Sequence, residues 1–246
     1  MKAALVSCLA IVLLFVSCDS EIIPDCYREP GASIVRIDAV GVFNQINIGE
    51  GVNLIVKQGA IEEVKVETGE NLMDEVTTEV VDGVLYVKNN LKCSLGTTVP
   101  ARVTVTAPDI IKIYSSSQYD VVSEGVLNFP TLNLQQGLYG KTASNIFDLS
   151  VNCQNLVVEN NNTTIFRIKG VTASLNVSFY SGDSRFEGAN LTVQDVFIFQ
   201  RSSNDMILKP SNKIEGNIYS NGNVILLNQP PTVNVVQHYT GHIVYQ

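Results

Sequence analysis

The sequence has no tryptophan, three methionines and two histidines in 246 residues, and only 16% of it is charged. Without Trp the usual platform for stacking on a sugar is gone, although nine tyrosines remain. The histidines, His238 and His242, are four apart, but Thr240-Gly241 lies between them and strand-like runs flank them. That places them in a turn, not on one helix face, and no metal site is expected. CxxC pairs and Cys/His clusters are missing, which argues against structural zinc. Gly49-Glu-Gly51 joins two strand-like runs with no Gly-Lys-Ser/Thr after it, so it is no phosphate loop. We expect no cofactor. A basic excess is missing too: the net charge is -8 and the pI is near 4.8, which argues against nucleic acid, whose phosphates need a basic face.

Long apolar runs are scarce. Ala3 to Val16 is the main one, and as a helix it would reach only about 21 Å, short of a bilayer's core. Residues 1–17, with Lys2 ahead of that run, read as a signal peptide. The segment ends Leu14-Phe-Val-Ser-Cys18, which resembles a bacterial lipobox. The resemblance implies cleavage before Cys18, acylation of its sulfur and attachment to a membrane by lipid, in the envelope of a bacterium and at its outer membrane. Residues 18–33, with Pro24 and Pro30, read as a tether. After removal of the signal three cysteines remain beside Cys18. One disulfide is permitted in an oxidising envelope, and Cys26 with Cys93 is the pairing we guess.

From Ile34 onward the chain alternates apolar and polar residues between turn residues, and helical spacing is absent. Ile46 and Ile48, then Val52, Leu54 and Val56, flank Gly49-Glu-Gly51 as two half-buried strands. Val76 to Val81, Asp82-Gly83 and Val84 to Val87 form the clearest hairpin signal, because Asp-Gly suits a primed turn.

Further on, the chain repeats itself. Stepping back by twenties from Leu226 meets Met206, Phe186, Phe166, Ile146 and Val126. Small polar residues precede this column as Lys141-Thr-Ala-Ser-Asn145, Asn161-Asn-Thr-Thr164, Ser181-Gly-Asp-Ser-Arg185, Arg201-Ser-Ser-Asn-Asp205 and Asn221-Gly-Asn223. A recurring turn and strand at such a period predicts an all-β fold, a parallel β-helix or β-solenoid with coils of about 20 residues. Residues 34–109 form its hairpin-rich part; residues 110–246 form the repeat and a terminal cap.

The order of motifs carries a family resemblance. Val42-Phe-Asn-Gln-Ile-Asn-Ile48, Val64-Lys-Val-Glu67 with Glu70-Asn-Leu72, Gly83-Val-Leu-Tyr-Val87, Val103-Thr-Val-Thr-Ala-Pro-Asp109 and Gly216-Asn-Ile-Tyr-Ser-Asn-Gly-Asn-Val224 resemble the putative autotransporter adhesin head GIN domain family. These are envelope proteins common in Bacteroidetes, and the likeness runs from Val35 to Val244. It implies a β-solenoid and no established catalytic residue. Members carry Ser-Gly-Ser after the Pro-Asp strand where this chain has Ser115-Ser-Ser117, so a more open turn is expected there.

A second column runs through Tyr119, Tyr139, Tyr180 and Tyr219, with Asn160 and Gln200 as the intermediate steps. Facing outward it would be a ligand-facing strip able to stack on a sugar chain; facing inward it is packing, the reading we favour. Phe147, Phe166, Phe179, Phe186, Phe197 and Phe199 are assigned to the core. Asp183 and Asp205 with Arg185 and Arg201 could serve a polysaccharide-cleaving β-helix enzyme, but they sit in turn blocks, where Asp is favoured for backbone hydrogen bonding. The leading reading is a non-catalytic, lipid-anchored envelope protein that binds a glycan or a host or envelope protein. The alternatives are a carbohydrate-active enzyme and a structural envelope component.

Overall fold

The computed structural model describes residues 28–91, 99–139 and 144–246. Cys18, Cys26 and Cys93 lie outside them, as does the expected signal peptide. The protein is nearly all-β, 62% strand and 3% helix, and it winds as a β-solenoid of about 6 turns, with coils roughly 21 residues apart.

Among the described residues nineteen strands form one continuous sheet. The first seven are β1 (Ser33–Asp38), β2 (Gln45–Ile48), β3 (Val52–Gln58), β4 (Glu63–Gly69), β5 (Val76–Val81), β6 (Val84–Asn89) and β7 (Ala101–Ala107), with a short 3-10 helix at Glu70–Glu75. The next seven are β8 (Lys112–Ser115), β9 (Val121–Leu127), β10 (Thr131–Gln136), β11 (Asn145–Asn160), β12 (Thr164–Phe179), β13 (Arg185–Glu187) and β14 (Leu191–Gln200). The last five are β15 (Met206–Leu208), β16 (Pro210–Ile218), β17 (Val224–Leu226), β18 (Thr232–Gln237) and β19 (Ile243–Tyr245).

The Asp82-Gly83 hairpin forms as the sequence predicts. Asp82 at φ 51° and Gly83 at φ 75° turn β5 antiparallel onto β6, Val81 opposite Val84. The runs on either side of Gly49-Glu-Gly51 do not pair with each other. β2 lies parallel between β6 and β8, and β3 parallel between β7 and β9. With both edges of each strand occupied, they are successive legs of one coil. Antiparallel β4 and β1 cover β7 in turn, so the hairpin material closes this end of the stack. The stretch read as a tether is pinned from Arg28 on: Arg28 pairs with Glu75 at 2.9 Å, and Ala32 N–H donates to Glu70 Oε1.

Two legs meet at a corner in each later coil. Along β11 and β12 every second residue is buried until Cys153 and Thr172, where the alternation slips by one. The residues after them, Gln154 and Ala173, are missing from the pairing between these strands, because the backbone bends there. Inside, Val121, Phe147, Phe166, Phe186, Met206, Val224 and Ile243 stand in register on the first legs. Three members of the expected column, Phe166, Phe186 and Met206, are there. Ile146, Val126 and Leu226 are not: coils of 18 or 19 residues, and one of 26, shift the true positions to Phe147, Val121 and Val224. Val126 faces solvent. Phe147 and Phe166 stack at 5.0 Å, and Phe166 and Phe179 at 5.9 Å.

Buried polar side chains, not open loops, close the turns between coils. At Ser115-Ser-Ser117 the turn is tight: the Ser117 hydroxyl donates to Val52 O at 2.6 Å, and Ser115 Oγ accepts the Ser117 N–H. A hydroxyl has replaced the freedom glycine would give.

Candidate binding face

The second legs, β10 and the C-terminal halves of β11, β12, β14, β16 and β18, lie side by side as one parallel sheet. Register makes Leu134, Val158, Val177, Ile198 and Gly216 an inward row. The next position outward is Tyr114, Gln135, Glu159, Ser178, Phe199, Asn217 and Val236.

The tyrosines do not form one register column with Asn160 and Gln200. Those two amides are fully buried and pair with Gln136, Phe179 and Ile218 on neighbouring strands. They face inward because each holds its turn: Gln200 Oε1 accepts Ser202 N–H and its Nε2 donates to Asn204 O, while Asn160 Oδ1 accepts Asn162 N–H. One residue further on, at the mouth of the turn, stand Tyr180, Arg201, Tyr219 and His238. Each donates its backbone N–H to the coil before: Tyr180 to Asn160, Arg201 to Phe179, Tyr219 to Gln200 and His238 to Ile218.

These rings are continuous with the outward row. Tyr180 and Phe199 lie 5.7 Å apart, Phe199 and Tyr219 5.0 Å, and Tyr219 and His238 4.3 Å with planes 5° from parallel. Tyr180 and Tyr219 are 37% and 40% exposed. Towards the N-terminal end Tyr180 Oη donates to Glu159 Oε1 at 2.8 Å, and Gln135 Nε2 donates to Glu159 Oε2 at 2.6 Å. Partial burial, the bond to Glu159 and the carboxylate's charge push the Tyr180 phenol up from its usual pKa. Beyond Gln135, exposed Tyr139 leans on Tyr114 at 5.2 Å, with the Lys112 ammonium 5.9 Å from its ring centre. Tyr119 sits apart in the turn before β9 and is not among the stacked rings of the described residues. A shallow groove lined by Phe197, Glu215, Asn217, Asn234 and Val236 runs beside the strip.

The strip includes residues the sequence reading missed. Phe197 and Phe199 alternate with buried Val196 and Ile198, so they face outward, and Phe197 is 46% exposed. That two-residue alternation was the available signal. His238 belongs to the stack, and among the described residues there is no group of three His, Cys, Asp or Glu side chains that could hold a metal ion.

The carboxylates considered for catalysis are engaged in turns. Asp205 Oδ1 accepts Asn223 N–H at 2.9 Å, and Asp183 accepts the Thr163 hydroxyl. Cys153 is buried; desolvation raises its thiol pKa, only partly offset by the hydrogen bond with Thr172, which leaves it a poor nucleophile.

The family described as "Putative auto-transporter adhesin, head GIN domain" matches residues 42–230, most of the chain. The chain belongs to this family. Solved structures share the fold. A putative adhesin from Bacteroides fragilis NCTC 9343 is 18% identical, with a TM-score of 0.79 over 87% of this chain and 97% of its own. A putative lipid binding protein from Parabacteroides distasonis ATCC 8503 is 12% identical, with a TM-score of 0.64 over 87% and 97%. A putative adhesin from Parabacteroides merdae ATCC 43184 is 14% identical, with a TM-score of 0.58 over the same shares. No curated protein sequence matches the chain. The family's description makes this head GIN domain an adhesin-type or binding protein of the cell envelope or surface, and it points away from an enzyme.

Proposed function

We propose that this protein is a non-catalytic envelope adhesin that binds an extended carbohydrate chain along the strip from Tyr139 to His238. One observation carries the reading: Tyr180, Phe199, Tyr219 and His238 stack without a break over successive coils on an exposed face. Parallel strands repeat every 4.8 Å or so, which spaces aromatic rings regularly along the rod. Exposed Tyr139 and the outward edges of the stacked rings meet the apolar faces of sugars, while Glu159 and Asn217 supply polar partners. Backbone ladders hold the rings in place, so little ordering entropy is spent on binding. A lipid on Cys18 would hold the protein at the outer membrane.

A glycan and matrix-protein array probed with the mature, acyl-free protein tests this. The expected result is binding to one class of glycan that is lost in Tyr139→Ala and Tyr180→Ala proteins with unchanged circular dichroism. Binding confined to proteins, or to no glycan, overturns the carbohydrate reading. Turnover of a bound polysaccharide, lost in Asp183→Asn or Asp205→Asn, would replace it with an enzyme.

A further inference from the structure

The end of the stack away from the hairpins is an open sheet edge. Among the described residues β18 is paired only with β16, and β19 only with β17. Among the described residues no strand covers this last coil. Ile214 is fully buried while Val233, its partner in the last coil, is 37% exposed, and fully buried Val224 is followed by half-buried Ile243. Val236 and Tyr245 are exposed on the same coil.

Such an edge offers unpaired N–H and C=O groups, and proteins blunt it with charge, proline or a bulge. The opposite end is blunted. β1 carries Arg36 and Asp38, and β5 carries Glu79 paired with Lys88. This end is not: from Gly216 to Gln246 there is no Asp, Glu, Lys or Arg at all. In a chain of net charge -8, repulsion between two copies is weakest where they meet through faces that carry no charged side chain.

We propose that this charge-free coil end is a homotypic interface, through which two copies of the chain join tail to tail about a two-fold axis with β18 antiparallel to its mate. The geometry is self-complementary. Centred on Val235, the pairing sets Val233 against Gln237 of the partner subunit and Val235 against the partner's Val235. These positions point inward in both copies, so the two cores become continuous. Five residues, Val233 to Gln237, paired in this way make about six backbone hydrogen bonds. Head-to-tail stacking would instead bring the neutral edge onto the charged β1 and β5 end.

Sedimentation equilibrium of the purified protein from micromolar to millimolar concentration tests the interface. The expected result is a mass that doubles and stops. Val235→Lys brings two ammonium groups together at the axis and returns the protein to monomer with an unchanged far-UV spectrum. Should that variant misfold, Val236→Lys, outward-facing and 55% exposed, serves the same purpose, placing its charge about 8 Å from its symmetry mate. Ile37→Lys on β1 leaves the dimer intact. A wild-type protein that stays monomeric, a lysine variant at Val236 that still dimerises, a dimer lost in Ile37→Lys, or a mass that climbs past two copies each overturns the proposal.

Discussion

The rings of Tyr219 and His238 lie face to face, 4.3 Å between centroids, because their backbones occupy the same position in successive coils. His238 Nε2 is 2.9 Å from Asn217 Oδ1, which fixes the imidazole plane. Tyr219 also meets Phe199, so its removal leaves a gap at the centre of the stack. An exposed ring contributes little to folding, and Tyr219→Ala should cost about 1 kcal/mol or less by chemical denaturation. Affinity for the glycan identified on the array should fall roughly tenfold or more, since a gap interrupts the contact on both sides. A stability loss of several kcal/mol with unchanged binding would make Tyr219 a packing residue.

The interior column separates residues that the sequence treats alike. Phe166 is fully buried between Phe147 and Phe179, and Phe166→Ala should destabilise by about 3–5 kcal/mol. Val126, reached by counting in twenties, faces solvent, and Val126→Ala should stay within about 0.5 kcal/mol of wild type. Urea midpoints for the two proteins check this. Similar losses in both would mean that the column runs through Val126 after all.

Fold class was legible because burial on one side of a strand writes itself as alternation, and stacking of coils writes itself as a period. Position within the period was not. A constant step of twenty found Phe166, Phe186 and Met206 but drifted to Ile146 and Leu226, because coil length is set in the turns, where residues are added or removed without disturbing the ladder. The same drift placed Asn160 and Gln200 in the tyrosine column, one residue before its true members. Their inward direction depends on hydrogen bonds to Asn162, Ser202 and Asn204, a relation that spacing alone does not carry. The part of the strip that was legible, Tyr139, Tyr180 and Tyr219, consists of large residues recurring beside turns. Phe199 was hidden because an isolated aromatic residue in a strand reads as core.

Close stacking of coils leaves some positions no room for a side chain. Gly170 has φ 115°, and a Cβ built there would lie 2.0 Å from Val151 O, a backbone atom that cannot move without breaking the ladder between β11 and β12. Gly170→Ala should therefore cost roughly 3 kcal/mol, the combined result of an unfavourable backbone conformation and a displaced strand. Thermal melting compares it with Gly125→Ala, where φ is also positive, at 84°, but nothing lies within 4 Å of the added carbon. Equal losses at both sites would show that conformation alone, not contact between coils, is responsible.

The hairpin end carries a pH dependence of its own. Asp38 receives Arg36 Nε at 2.6 Å and Nη2 at 3.0 Å, and the Thr78 hydroxyl at 2.6 Å, while Arg36 also donates to Met73 O and Val76 O. This knot ties β1 to the 3-10 helix and to β5. Burial alone would raise the Asp38 pKa, but the hydrogen bonds from Arg36 and Thr78 and the guanidinium charge outweigh it, leaving the carboxyl below its ordinary value. A lowered folded-state pKa means that the contribution is complete above the unfolded value and is lost as pH falls through the folded one. Asp38→Asn should therefore cost about 1–2 kcal/mol near neutrality. The gap from wild type should begin to narrow as pH drops below roughly 3.9, where the unfolded chain takes up its proton, and should go on closing as pH falls through the lower folded-state pKa of Asp38. Urea denaturation of both proteins at neutral, mildly acidic and strongly acidic pH measures the gap directly. A gap that stays constant across that range would mean that Asp38 acts through its shape and hydrogen bonds alone, with no contribution from its charge.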